Sequence, residues 1–198
     1  MILGAHFQVA WTTMNFHNRF KVIFILAALG LLLVGPVRAA ETIEKAKPED
    51  AKLLKEVFPQ ADFFSVKAGK YPHNKAFKAA PQGGESTLLG FVFMTNEVEP
   101  DEWGYAGPIE ILVGLTTDGV ITAVKVVYHR EPFGSFSIAT PEFAAQFKGK
   151  KILDAFEVGR DIDGVTRATI SVDGATRVIK KSTRHILRQY LAEEQSKK

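Results

Sequence analysis

The sequence predicts an α+β fold, an antiparallel sheet with flanking helices. Three observations carry that expectation. Asp118-Gly119 stands between two runs rich in β-branched residues, a strong hairpin signature because these residues tolerate the positive φ that tight hairpins need. Residues 88–95 are an apolar run rich in Phe and Val, as expected of a buried strand. Val172, Ala175, Ile179, Ser182, Ile186 and Tyr190 recur at steps of three or four, which marks the buried stripe of a terminal helix with Ser182 as its one polar member.

Taken in order, residues 1–39 read as an export signal. Arg19 and Lys21 precede thirteen apolar residues, 22–34. A spanning helix needs about 20, a signal core about 7–15. Gly35-Pro36 ends the run, and Val37-Arg38-Ala39 supplies small residues for a cut after Ala39, with Ala40 fitting nearly as well. The alternative is an uncleaved membrane anchor. Residues 1–13 carry neither charge nor pattern, which leaves Met14 as a second candidate start. Either reading puts the protein in the periplasm or another extracytoplasmic space.

Residues 40–52 form a polar leader, 53–191 one domain and 192–198 a charged tail. Pro48-Glu49-Asp50 opens a helix with Ala51, Leu54, Val57 and Phe58 at helical spacing, ending before Pro59. Residues 65–87 hold Gly, Lys, Pro and Asn without periodicity, a long loop with one short strand. After the strand at 88–95 comes an acidic loop, 96–107. Strands at 108–115 and 120–129 flank the Thr116-Thr117-Asp118-Gly119 turn, and the alternation of 123–128 covers both faces. Residues 142–147 are a short helix, 154–158 a short strand, and 171–191 the final helix.

Charge and composition narrow the function. The chain has 198 residues, with 25 Lys+Arg and 22 Asp+Glu. Arg19, Lys21 and Arg38 are the only charges in residues 1–40, so residues 41–198 are formally neutral. A non-specific nucleic-acid binder keeps a basic excess, so nucleic acid is not an expected partner. The absence of Cys excludes disulfides, thiolate zinc sites, iron–sulfur clusters and c-type haem. Any redox cofactor must therefore do without thiolate. Between Lys78 and Lys125 there is no basic residue, while Glu85, Glu97, Glu99, Asp101, Glu102, Glu110 and Asp118 lie there. That stretch is either a solubilising loop or a docking patch for a basic partner. Arg177, Lys180, Lys181, Arg184 and Arg188 fall off the helical stripe and read as a solvated face.

The usual catalytic patterns are missing. The five histidines lack metal-ligand spacing, and no Gly-x-Ser-x-Gly elbow, phosphate-binding P-loop or Gly-x-Gly-x-x-Gly fingerprint occurs. Asp161 and Asp163 can pair as carboxylates, but acids in a loop are usually just solvated. What remains is Asp163-Gly164-Val165-Thr166-Arg167-Ala168-Thr169-Ile170-Ser171, directly before the final helix. Ser171 or Thr169 serves there as an N-cap. The same position has a chemical use, since a helix N-terminus offers free N–H groups and a positive dipole end to a phosphate. A threonine can carry a phosphate ester, and Arg167 lies close enough in sequence to pair with the charge.

This segment resembles the flavinylation motif Asp-Gly-x-(Ser/Thr)-Gly-Ala-Thr of FMN-binding domains. Those domains occur in the G subunit of the Rnf complex, the C subunit of the sodium-pumping NADH:quinone reductase, and the NosR/NirI proteins. In such proteins an FAD:protein FMN transferase attaches FMN through its phosphate to the last threonine of the motif. The resemblance implies a single FMN-binding domain over 53–191 with Thr169 as the attachment residue. Asp163, Gly164, Thr166, Arg167, Ala168, Ile170 and Ser171 would be its surroundings. The likeness continues through Leu89-Gly90-Phe91-Val92-Phe93, Gly104-Tyr105-Ala106-Gly107-Pro108-Ile109 and Leu112-Val113-Gly114-Leu115. His129-Arg130-Glu131-Pro132 looks most like the NosR/NirI branch. By the same resemblance Tyr105, His129, Glu131 and Pro132 belong to the ring pocket.

The implied function is an exported flavoprotein whose covalent FMN relays electrons in a membrane-associated redox chain, without side-chain catalysis, or as a subunit of an oxidoreductase. Its partners would be the transferase and a membrane redox complex or exported cytochrome. The alternative is a sensory or accessory flavin module. Two features depart from a simple match. Arg167 replaces the usual glycine, where it either hinders the transferase or clamps the phosphate. Asp173-Gly174-Ala175-Thr176 repeats part of the motif, but inside the expected helix, more than a turn past the phosphate-binding end.

Overall fold

The computed structural model describes residues 43–81 and 84–197. The expected signal or anchor at 1–39 lies outside the described residues. Within them the chain builds a five-stranded antiparallel meander in sequential order. Its strands are β1 (Phe63–Phe64), β2 (Asn74–Lys78), β3 (Thr87–Met94), β4 (Glu110–Thr116) and β5 (Ile121–Tyr128). The helices are α1 (Pro48–Val57), α2 (Thr95–Val98), α3 (Pro141–Ala145) and α4 (Thr169–Ser196).

Alternation along β3 and β4 divides the core in two. Phe91, Phe93, Ile111, Val113 and Leu115 pack with Val172, Ile179 and Ile186 of α4. Val92 and Leu112 face the other way, onto Leu54, Val57 and Phe58 of α1 and the residue after it. The sheet is thus covered on both faces, and burying each large apolar side chain contributes about 1.5–3 kcal/mol. The stripe expected on α4 is present. Tyr190 is only half-buried, and its ring lies 5.1 Å from that of Phe91. Ser182 is fully buried and donates to Val178 O at 2.7 Å, so its hydroxyl is satisfied inside the helix.

α1 begins as its sequence suggests, with Pro48 in the first turn beside Glu49 and Asp50, where acids suit the dipole. The polar stretch before it is tied to the sheet edge: Ala46 N–H bonds Phe64 O and Val66 N–H bonds Glu44 O, both at 2.9 Å. At the hairpin, Gly119 has φ +77 and donates to Thr116 O at 3.0 Å. Asp118 does not take a positive φ, so the turn needs its glycine only. β5 is an edge strand. Its far end, Val127 and Tyr128, is exposed, so coverage of both faces stops at Val126.

Three expectations are corrected. Residues 154–158 are not a strand; Val158 makes one isolated bridge to Ile162. Phe156 is buried with φ +48. Its N–H and that of Glu157 donate to the Asp161 carboxylate, which also receives Lys150 Nζ at 3.0 Å. Apolar residues that fill the core from a loop imitate strand alternation here. The final helix starts two residues earlier than expected and runs through Ser196, so most of the charged tail is helical. The acidic loop opens with the single turn α2, and three of its four acids are paired within the chain, Asp101 being exposed. Glu97 pairs with Lys67 at 2.7 Å, Glu99 with His185, and Glu102 with both Arg177 and Lys181. Arg184 donates to Ile152 O at 2.9 Å. The acidic loop and the basic side of α4 thus neutralise one another, and much of that side is not a simple solvated face. Among the described residues no helix is long and apolar enough to cross a membrane.

Candidate functional site

The segment singled out in the sequence is an exposed loop that delivers the chain into α4. Asp163 N–H donates to Gln146 Oε1 at 2.6 Å, which anchors its start just beyond α3. Asp163, Gly164, Thr166 and Arg167 are exposed and Val165 half-buried. Ala168 N–H closes a turn onto Val165 O at 3.0 Å. Ala168 is buried and stands at the N-cap, and no side chain caps the helix. The N-cap expected of Ser171 or Thr169 is therefore not formed. Thr169 is the first helical residue and is exposed. The first bond within the helix runs from Val172 N–H to Ala168 O. The N–H groups of Thr169, Ile170 and Ser171 consequently have no intrahelical acceptor, and the positive end of the helix dipole lies there.

Arg167 has φ +72. That left-handed conformation costs an L-residue with a Cβ roughly 1–2 kcal/mol and is routine only for glycine. The backbone thus keeps the shape that the motif's usual glycine would take. Thr176, the alternative threonine, is 1% exposed, and its hydroxyl has no hydrogen-bond partner among the described residues.

Glu131 organises the neighbourhood. It is buried, and its carboxylate accepts from Tyr105 N–H at 3.0 Å, Ala106 N–H at 2.9 Å and the Ser171 hydroxyl. One side chain therefore joins the 104–107 loop, the chain after β5 and the first turn of α4. The fit is close: a Cβ on Gly104 would stand 2.6 Å from Glu131 Oε1, and one on Gly174 2.8 Å from Gly104 Cα. His129 turns inward. Its ring packs on Gly134, and its buried Nδ1 has no partner among the described residues. Tyr105 presents its side chain to solvent, and Pro132 is exposed. Of the four residues expected at the ring, two are therefore surface groups and two face inward.

Sequence reading missed Phe133 and Phe136, which with the expected Ile170 form an apolar surface. All three are exposed, and the two phenyl rings stand 5.4 Å apart. The available signal was a pair of aromatics in Pro132-Phe133-Gly134-Ser135-Phe136, a loop with no periodicity to bury them. An exposed hydroxyl, three free N–H donors and exposed apolar side chains on segments tied together by Glu131 fit a group with a phosphate at one end and a flat ring at the other. A separate groove of about 600 Å³, lined in part by Tyr71, His185, Arg188 and Gln189, lies roughly 25 Å further along α4, judged by the 1.5 Å rise per residue.

Residues 104–183 match the FMN-binding domain family, a span that holds the 104–107 loop, Glu131 and residues 163–171 together. The G subunit of the ion-translocating oxidoreductase complex of Pseudomonas aeruginosa is 32% identical over 186 residues, covering 82% of this chain and 84% of that protein. This chain belongs to the family of FMN-binding G subunits. The G subunit of the proton-translocating ferredoxin:NAD(+) oxidoreductase complex of Clostridium ljungdahlii is 29% identical over 169 residues, 82% of this chain and 83% of that protein. Its Na(+)-translocating counterpart in Acetobacterium woodii is 25% identical over 177 residues, 81% and 85%. The NosR/NirI likeness of residues 129–132 is thus a local one within a chain similar to these G subunits over most of its length.

Proposed function

We propose that this chain is an exported electron-transfer subunit of a membrane-associated, ion-translocating redox complex, with FMN esterified through its phosphate to Thr169. When bound, the isoalloxazine ring supplies one- or two-electron redox chemistry. The remaining roles fall to the chain itself. One observation carries the choice of residue: Thr169 is exposed at an uncapped helix N-terminus, while Thr176 is buried two turns further on. A transferase needs access to the hydroxyl it esterifies. The phosphate left behind then meets free N–H groups, each charge-assisted hydrogen bond contributing about 1.5–3 kcal/mol. Tyr105, Phe133, Phe136 and Ile170 offer apolar surface for the ring, and no side chain acts as acid, base or nucleophile. Similarity to the G subunits over four-fifths of the chain supports a membrane redox complex as the partner. The apolar run at 22–34 supports export, and a tether suits an exported protein because lost FMN is not replaced from the cytoplasm.

The test is the intact mass of the exported protein made with and without the FAD:protein FMN transferase. A gain of one FMN less one water is expected only with the enzyme. Thr169→Ala should abolish flavin fluorescence on a denaturing gel, and Thr176→Ala should keep it. Covalent flavin on the Thr169→Ala protein would overturn the assignment.

A further inference from the structure

We infer that Glu131 is a positioning residue that presets the flavin site and holds the reduction potential of the bound flavin low. The inference rests on the proposed attachment at Thr169. Its ground is an unusual accounting of charge. Glu131 is 5% exposed and takes part in none of the ion pairs among the described residues. Its three donors are two backbone N–H groups and one hydroxyl. A buried carboxylate is normally paired with a cation, and this one is compensated by dipoles alone. Each donor belongs to the site. Tyr105 and Ala106 carry the exposed aromatic loop, and Ser171 lies two residues beyond Thr169 in the same helical turn.

Two consequences follow. The carboxylate locks the Tyr105 loop to the first turn of α4, so the ring surface and the attachment point are set relative to one another before any flavin arrives. It also leaves a fixed negative charge with little water to screen it. Two-electron reduction of a flavin with uptake of one proton from solvent leaves one negative charge on the ring system. A carboxylate nearby disfavours that charge and lowers the potential.

The experiment uses the full exported chain carrying FMN, with loading verified by intact mass, in a spectroscopic redox titration with dithionite as electron donor. Glu131→Gln keeps the shape and removes the charge. It should raise the equilibrium constant for reduction about tenfold, ~30 mV for a two-electron couple. Ser171→Ala withdraws one compensating donor and should lower the potential. In protein made without the transferase, amide exchange at Tyr105 and Ala106 should be at least tenfold faster in Glu131→Gln than in the wild type. A loaded Glu131→Gln protein with wild-type potential overturns the inference while leaving the attachment reading intact. So does a Ser171→Ala potential at or above wild type, which remains decisive where Glu131→Gln does not fold or load. Unchanged amide exchange overturns the positioning role. Wild-type protein that gains no FMN mass in the presence of the transferase instead defeats the attachment reading itself.

Discussion

Glu102 receives Arg177 Nε at 2.7 Å and so clasps the acidic loop onto α4, with Lys181 as its second cation. Burial pushes the Glu102 carboxyl up, but its bonds to Lys181 and Arg177 outweigh that and hold it below the ordinary value of 4.5. A carboxyl depressed in the folded state stabilises the fold above its unfolded value, and that stabilisation is lost as pH falls through the folded one. Glu102→Gln should therefore cost about 1 kcal/mol near neutral pH, a modest figure because both cations are partly exposed and screened. The difference between wild type and variant in urea melts should shrink as pH drops below 4.5. An equal difference at neutral pH and at pH well below that value would show the clasp to be energetically idle.

Arg167→Gly should stabilise the flavin-free protein. Relief of the left-handed conformation returns roughly 1–2 kcal/mol, and the extra freedom of glycine in the unfolded chain takes back roughly 0.4–1 kcal/mol. The net gain falls between about 0 and 1.6 kcal/mol, centred near 0.8, a rise of about 2–3 degrees in Tm for a domain of this size. Arg167→Ala should give no such gain, since alanine keeps the Cβ. Equal stabilisation by both would place the cost in the arginine side chain and not in the backbone.

The hairpin, the stripe of α4 and the apolar run of β3 were legible because each follows a local period or turn rule. Residues 163–169 stood out as a motif, and the structure sets them at the start of α4. What the sequence hid was pairing across distance. Glu99 and Glu102 looked like a free acidic patch, and Arg177 and Lys181 like a solvated face, because 75 residues or more separate the partners. Glu131 was singled out by resemblance alone, and its inward orientation depends on Tyr105, Ala106 and Ser171 converging on it. Phe156 and Val158 imitated a strand because core-filling loop residues and strand residues alternate alike. The helix start was misplaced by two residues because a Ser or Thr cap was expected where Ala168 stands uncapped.

Asp161→Asn should loosen the loop that leads into residues 163–169. The carboxylate holds the N–H groups of Phe156 and Glu157, and it pairs with a half-buried Lys150. Burial pushes the Asp161 carboxyl up, but the Glu157 N–H, Lys150 and the Phe156 N–H together bring it below the ordinary 3.8. Its contribution is therefore present above that value and lost as pH falls through the folded one. Asparagine retains one acceptor and loses the charge, at a cost of about 1–3 kcal/mol. Thermal melts at neutral pH should show the loss, and it should narrow in strong acid.

Gly174→Ala sets two effects against each other. In an exposed helix interior, alanine in place of glycine gains about 1 kcal/mol. Here the new Cβ would stand 2.8 Å from Gly104 Cα and 2.8 Å from Trp103 O. Both are backbone atoms, so no rotamer change relieves the contact. Glu131 fixes that loop from its other side through Tyr105 and Ala106, which leaves it little room to retreat. Overpacking of this kind costs about 1–3 kcal/mol, so the clash should outweigh the propensity. The expected result is a lower Tm, with faster amide exchange at Tyr105 and Ala106. Because the 104–107 loop carries the exposed Tyr105, the proposed flavin on Thr169 should hold its ring more loosely in this variant, read as a fall in flavin fluorescence anisotropy with loading unchanged. A stabilised Gly174→Ala protein with wild-type exchange would mean that the loop yields easily, and that helix and loop are not the fixed frame on which the site depends.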